Sequence, residues 1–434
     1  MYSFIALTTY GWRLVVRVCP FLSRTPAVGT RKTCGAPAVR RAGIGSASAR
    51  RDEIKKFRSW QKRAYPMVLL AALGALPQYA LARPHWTVVD PGTAEPAGLL
   101  LAGNIFFTDA RHGVILGRVP VPRKPVRPGI AWTRDGGHSW HPAKIRADVQ
   151  KSNLAGLWFS SRRLGWADGT VSGTGPLNRG VLLKTRDGGR IWRMVALPKT
   201  IGGLGAVWFG PHGQHGRLLP HRGTFFWQTA DGGKTFTRVN VGRTFQGGWW
   251  IGSWKKMVLA VAGGRVIIRT DNAGKTWAQA ATGLKGPAAM LTAISFAPGG
   301  KAGWAVGGQG KWVRNGGFGM PHNPVILHTV DGGKTWTLQT PPAGRTGNLT
   351  DVYAISPREA WVGSVLGYAR TNPMTALPWL LHTTDGGKTW PDVFHHVVSV
   401  RKLFFLNARH GWAVGGSPGS PDEPSGVVLI YGGR

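Results

Sequence analysis

TTDGGKTW, Thr383 to Trp390, is one of six versions of a single eight-residue sentence in this chain. The others are TRDGGHSW from Thr133, TRDGGRIW from Thr185, TADGGKTF from Thr229, TDNAGKTW from Thr270 and TVDGGKTW from Thr329. Their starts lie between 41 and 59 residues apart, a period at which each repeat is one sheet-sized unit of a propeller or array. The chain therefore reads as a repeat fold.

Each position in the sentence has a physical job. The two glycines suit positive φ in a tight hairpin turn, and the aspartate accepts hydrogen bonds from the turn's backbone N–H groups. The Thr or Ser before the aromatic closes the same network, and the terminal Trp or Phe begins the outgoing strand and buries a large ring between neighbouring sheets. On this reading Asp135, Asp187, Asp231, Asp271, Asp331 and Asp385 are structural clasps. Carboxylates spread one per repeat cannot converge on one substrate or one metal ion.

A second phrase precedes each sentence and sets the number of units. It stands as FFTDARHGVILG from Phe106, LWFSSRRLGWADG from Leu157, ISFAPGGKAGWAVG from Ile294, VYAISPREAWVG from Val352 and LFFLNARHGWAVG from Leu403. Weaker versions are VWFGPHGQHGRLLP from Val207 and WWIGSWKKMVLAVAG from Trp249. Each reads as strand, polar turn, strand. Seven strand pairs thus face six clasps, and the last pair is followed by VVLIYGG from Val427 with no clasp after it.

The missing strand stands at the other end of the chain. His85 to Val89, HWTVV, resembles the strands that follow the clasps but has none before it. Pairing it beside residues 427 to 431 closes the ring and protects sheet edges from pairing elsewhere. The predicted fold is all-β: a seven-bladed β-propeller of four-stranded antiparallel blades over residues 83 to 434, with the N-terminal strand in the last blade.

Upstream of that, residues 1 to 50 contain no acidic residue and are rich in Arg, Ser and Ala. Residues 1 to 60 read as a basic leader, either transit-like or an upstream stretch included in the coding sequence. Residues 61 to 82 read as a secretory signal: a basic flank, the apolar run MVLLAALGAL from Met67 to Leu76, and an Ala80-Leu81-Ala82 end. The run is too short for a membrane span. The rest is expected to be exported, to the periplasm or, in a phototroph, the thylakoid lumen. Cys19 and Cys34 both precede the expected mature start, so no disulfide or thiolate site is available to the propeller.

The chain carries 55 Lys and Arg against 18 Asp and Glu, a formal charge of +37. Residues 83 to 434 alone keep 41 basic and 16 acidic residues, a net +25. Such a surface favours an anionic partner: an acidic protein face, an anionic polymer or an anionic lipid surface. Nucleic acid is not expected, given the export signal, the even scatter of charge and no recognisable nucleic-acid module.

The clasp pattern S/T-x-D-x-G-x-T-W resembles the Asp-box of sialidases, some endoglucanases and sortilin-type receptors. With the GWAVG-like strand before it and the count of seven, residues 85 to 431 resemble the photosystem II stability/assembly factor family. That resemblance implies an exported, non-enzymatic assembly chaperone without cofactors, a single ring acting as a monomer, peripheral to a membrane and bound to a membrane-protein segment or an acidic protein surface. The alternative it leaves open is an Asp-box glycoside hydrolase.

A hydrolase needs acids. Outside the clasps, the exported region offers Asp90, Asp109, Asp148, Asp168, Asp351, Asp392 and Asp422, with Glu95, Glu359 and Glu423, and few tyrosines: Tyr353, Tyr368 and Tyr431. Asp168 and Asp351 lie near strand ends, from which they would reach the channel, although turn or cap roles fit them better. His212, His215 and His221 sit in a glycine-rich hairpin with no nearby carboxylate or Cys, so they read as exposed turn residues and not as metal ligands. The loops after the second and fourth strands of each unit share one face, and binding usually resides on loops carried by a rigid scaffold. The partner-binding candidates there are Arg123, Arg127, Arg222, Arg243, Arg314, Arg345 and Arg370, whose planar forks suit carboxylates.

Overall fold

Alternating aromatic and β-branched residues send one side of a strand into a core and leave the other to a neighbour. In the computed structural model the repeated phrases do this in one register: Phe107 lies opposite Gly113, Phe159 opposite Gly165, Phe209 opposite Gly216 and Phe296 opposite Gly303. A Cβ at Gly113 would stand 2.6 Å from the Phe107 ring, and one at Gly165 2.5 Å from Phe159. In these pairs the glycine that opens the second strand is the seat of the aromatic that ends the first.

The structure describes residues 8–9, 12–13, 85–89, 103–121, 124–146, 149, 152–171, 178–251, 253–261, 265–284, 289–315, 318–343, 347–365, 378–393, 399–416 and 426–432. The chain divides into two compact units, Met1–Gln78 and Tyr79–Arg434. In the first, Thr8–Thr9 pairs antiparallel with Trp12–Arg13. The remainder of the expected leader, and the expected secretory signal at residues 61 to 82, lie outside the described residues.

In the second unit the described residues are strands and turns, with no helix among them. Three sheets are four-stranded antiparallel meanders. One runs Asn104–Phe107, Gly113–Val121, Lys124–Thr133, His141–Pro142, and another Ala289–Phe296, Gly303–Asn315, Phe318–Thr329, Thr337–Gln339. The third runs Ser399–Asn407, His410–Gly416, Gly426–Gly432 and then His85–Val89, which pairs antiparallel with Val89 opposite Val428 and His85 opposite Gly432. The two ends of the described region therefore share one sheet.

The other sheets vary this plan. A meander from Ser152–Phe159 to Ile191–Met194 gains Lys144–Arg146 as a fifth, parallel strand. Leu349–Ala354, Ala360–Ser364 and Leu380–Thr383 form three strands, with a single bridge from Leu381 to Asp392 where a fourth would lie. The strand Thr237–Trp250 belongs to two meanders at once, pairing through its first half with Gly223–Thr229 and through its second with Met257–Val261. Two units thereby fuse into one seven-stranded sheet.

The core lies between sheets. Each of seven apolar clusters draws on neighbouring strand pairs; one joins Phe159, Val181 and Trp192 to Val114 and Leu116 of the preceding pair. Another joins Ile105, Phe107 and Trp140 near the start to Trp412, Val414 and Val428 near the end. There Phe107 stacks on Trp412 at 3.6 Å between ring centroids, and Trp412 Nε1 donates to the Gly136 carbonyl at 2.7 Å. Trp86 seats His85–Val89 against Trp361, Phe405 and Tyr431, at 5.4, 5.8 and 5.1 Å. Outermost strands stay wet: Thr337–Gln339 has no buried residue.

Candidate functional site

The clasps are closed hydrogen-bond rings. Thr133 Oγ1 donates to Asp135 Oδ1 at 2.7 Å and accepts the Gly137 N–H at 3.1 Å, while Asp135 Oδ1 accepts the Ser139 N–H at 2.9 Å. Gly136 and Gly137 take φ of 80° and 99°, which a side chain would resist. Asp187, Asp231, Asp331 and Asp385 repeat the arrangement with Thr185, Thr229, Thr329 and Thr383. Burial pulls Asp135 and Asp331 upward, but the hydroxyl and N–H donors of Ser139 and Thr335 outweigh it and hold both at about 2. Asp231 and Asp385 are held further below the usual carboxylate range, chiefly by the hydroxyls of Thr235 and Thr389.

Asp271 is not the clasp residue of its repeat. Thr270 Oγ1 donates to Asn272 Oδ1 at 3.0 Å, and Asn272 Oδ1 accepts the Thr276 N–H at 2.9 Å. In TDNAGKTW the third position is the asparagine, whose amide oxygen accepts the same bonds as a carboxylate. Asp271, one place earlier, is half exposed and pairs with Arg269.

Seven first strands contribute to one central cavity of about 470 Å³, among them Phe106, Trp158, Val207, Trp249, Ile294, Tyr353 and Phe404. A second cavity of about 640 Å³ shares Trp158, Trp249, Trp250, Ile294, Ser295 and Tyr353 with it and extends to Trp208, Pro211 and Asn407. The residue just before the buried ring or aliphatic of each first strand forms a belt along these walls. Trp250 lies 6.1 Å from Trp208, Trp208 6.2 Å from Trp158, Trp158 5.7 Å from Phe106, Phe106 4.7 Å from Phe404 and Phe404 5.7 Å from Tyr353. All six rings are half-buried, and Ser295 holds the seventh position. Flat apolar faces beside open space bind planar or apolar ligand segments. Sequence reasoning quoted these phrases without finding the belt; its signal is the doublet FF, WF, WF, WI, SF, YA, FF at one place in every phrase.

The acids near this cavity are spoken for or hidden. Asp351 is buried, accepts Lys402 Nζ at 2.9 Å and the Leu403 N–H at 2.7 Å, and has its pKa raised by burial against those partners. Asp168 is fully buried with neither carboxylate oxygen hydrogen-bonded, and burial pushes it up to about 7. It lies on a second strand opposite Gly156, and a Cβ at Gly156 would collide with its carboxylate. Neither occupies a turn or cap: Asp351 borders the central cavity from a first strand while only 2% exposed, and Asp168 lies within a second strand and is not among the residues that line the cavity. Asp90, Asp148, Asp422, Glu95, Glu423 and Tyr368 lie outside the described residues.

Of the arginine candidates, Arg127, Arg222 and Arg243 are exposed, and none is ion-paired among the described residues. Arg222 stands in the turn after Pro220 and His221, which line the central cavity, and Arg243 donates to Gln279 Oε1 at 3.0 Å. Arg314 lies on the strand Gly303–Asn315. Arg123, Arg345 and Arg370 lie outside the described residues. His212, His215 and His221 are exposed, with His215 stacked on Trp254. Among the described residues no three metal-ligating side chains come together.

No protein-family model matches the sequence, and no curated protein aligns with it. Solved structures do match in fold. A structure of YCF48 bound to D1 peptide shares 20% identity at a TM-score of 0.55, covering 80% of this chain and 96% of that one. YCF48 from Cyanidioschyzon merolae shares 18% at 0.55, covering 80% and 98%. A GH74 xyloglucanase from Xanthomonas campestris shares 13% at 0.55, covering 81% of this chain and 56% of its own. The likeness is one of propeller fold, common to a binding protein and a hydrolase.

Proposed function

We propose that residues 83 to 434 form a closed seven-bladed propeller that works as an exported, non-enzymatic binding scaffold for an extended segment of a membrane protein. The observation that carries this reading is the central cavity, to which seven first strands contribute and which six aromatic rings belt. Closure is supported by the pairing of His85–Val89 with the last sheet and by the cluster joining Phe107 to Trp412. Stacked rings grip apolar side chains, and the exposed Arg127, Arg222 and Arg243 attract a segment's acidic groups. The likeness to YCF48, itself solved with a D1 peptide, fits such a partner.

The likeness to a GH74 enzyme keeps hydrolysis as the second reading. Glycoside hydrolysis requires two carboxyl groups flanking the bond. Against it, Asp168 and Asp351 are both buried, and Asp351 is already neutralised by Lys402.

The test pairs a binding assay with a hydrolysis screen. Replacing Arg127, Arg222 and Arg243 together by Glu is expected to abolish capture of an acidic membrane-protein peptide with an unchanged melting temperature. Capture should also weaken as salt rises, because exposed charge pairs are screened over about 8–10 Å at physiological ionic strength. Xyloglucan or sialoside cleavage that disappears in Asp168→Asn or Asp351→Asn would replace the scaffold reading with the hydrolase one.

A further inference from the structure

Four second strands place an indole directly after the glycine or alanine that lies opposite the end of the first strand: Trp166, Trp304, Trp361 and Trp412. Trp166 stacks on Phe209 at 4.0 Å and Trp412 on Phe107 at 3.6 Å, in both cases covering the ring of the next strand pair. In GRLLP, the strand Gly216–Pro220, that position is Arg217. A guanidinium is smaller than an indole, and the next pair offers Ile251 where five of the other six pairs have a Phe. A cavity of about 240 Å³ opens there, lined by Trp208, His215, Arg217, Gln228, Thr237 and Trp254.

Arg217 is 2% exposed. Its Nη1 donates to Met257 Sδ at 3.0 Å, a weak acceptor, and its Nη2 has no acceptor. No carboxylate is paired with it among the described residues. The guanidinium lies 5.3 Å from the Phe226 ring and 6.0 Å from that of Trp254. Burial lowers its pKa only to about 10, so the group is charged at neutral pH. A buried cation lacking a counter-charge is costly, and an entering anion relieves that cost.

We propose that this cavity binds a small carboxylate with a flat apolar body, its oxygens on the Arg217 fork and its ring among Trp208, His215 and Trp254. A planar fork matches a carboxylate in shape as well as charge, and the indoles supply the apolar slot. Trp254, 39% exposed, stands at the mouth. Two sources present this chemistry: a free aryl acid, or a peptide ending in an aromatic residue. The site shares Trp208 with the belt, but its anion-binding group, Arg217, does not line the central cavities, so binding here does not require the scaffold reading.

The test uses the full chain with benzoate, N-acetylphenylalanine, benzamide and sulfate, followed by tryptophan fluorescence and calorimetry. Saturable binding of benzoate is expected, with benzamide at least tenfold weaker, and N-acetylphenylalanine binding as well only if the source is a peptide terminus. Arg217→Trp, which restores the indole, and Arg217→Met should each weaken benzoate at least tenfold while keeping the melting temperature. The proposal is overturned if neither acid saturates, if benzamide or sulfate binds as well as benzoate, or if both variants that retain their fold bind benzoate unchanged. Loss of peptide capture with benzoate binding intact would count against the scaffold reading alone.

Discussion

The second strands of two units begin alike and part at one residue: GWAV at Gly303 to Val306, GWAD at Gly165 to Asp168. Val306 is fully buried opposite Ala293, inside an apolar cluster. Asp168 is as deeply buried, but Gly156 stands opposite it and leaves room for a carboxylate that has no hydrogen-bond partner. Arg217 is the same kind of exception two positions earlier in its strand. The repeat therefore prescribes the backbone and the depth of each position, while the residue opposite decides whether a polar group fits there.

The largest effect tests that rule directly. Val306→Asp should cost about 4 kcal/mol or more, because Ala293 leaves no room and the carboxylate is buried without a partner. Urea unfolding at pH 8 measures it; a loss under about 1 kcal/mol would mean that the opposite residue is irrelevant. The reverse change, Asp168→Val, should stabilise by about 2–4 kcal/mol at pH 8, the order set by holding a carboxyl at neutral in the folded state.

The sign follows from linkage. Asp168 has a folded pKa raised to about 7, so the fold loses stability as pH rises from the ordinary carboxylate range near 4 to 7 and is flat above that. Asp168→Val should remove this part of the pH slope, whereas an unchanged slope would place the titration elsewhere. Asp135 and Asp331 act oppositely. Their folded pKa near 2 means that their stabilisation is complete above about 4 and is lost as pH falls towards 2.

The clasps allow the same comparison at smaller scale. Thr383 is buried, and its hydroxyl both accepts the Gly387 N–H and donates to Asp385. Thr383→Val keeps the shape and should cost about 1–3 kcal/mol through the unpaired N–H; no change in the melting curve would deny the clasp a structural role. Asn272→Asp should make the odd clasp like the others and stabilise by about 0.5 kcal/mol at low salt, since a charged acceptor strengthens the Thr276 bond. Destabilisation would show that the adjacent Asp271 carboxylate repels it.

Much of the fold was legible in six copies of one sentence and seven of another. Periodicity averages over accidents, so strand order, the clasp glycines and the pairing of His85–Val89 with the last sheet were readable before any contact was known. The shared strand Thr237–Trp250 was not, because nothing between its halves marks where one unit's ladder ends and the next begins. Less of the site was legible. Exposed arginines on loops could be placed by strand order, yet three of the seven lie outside the described residues.

The sequence by itself determined the all-β repeat, its clasps and its charge, because these are set by local spacing, turn chemistry and residue counts. Only the tertiary structure decided which residues share a wall. The belt from Trp250 to Tyr353 joins rings of six separate strand pairs, the Asp168 carboxylate fits only because Gly156 stands opposite it on a neighbouring strand, and the space beside Arg217 is bounded by Trp254 of the next pair. Such contacts arise from packing between units, and no spacing along the chain encodes the distance across it.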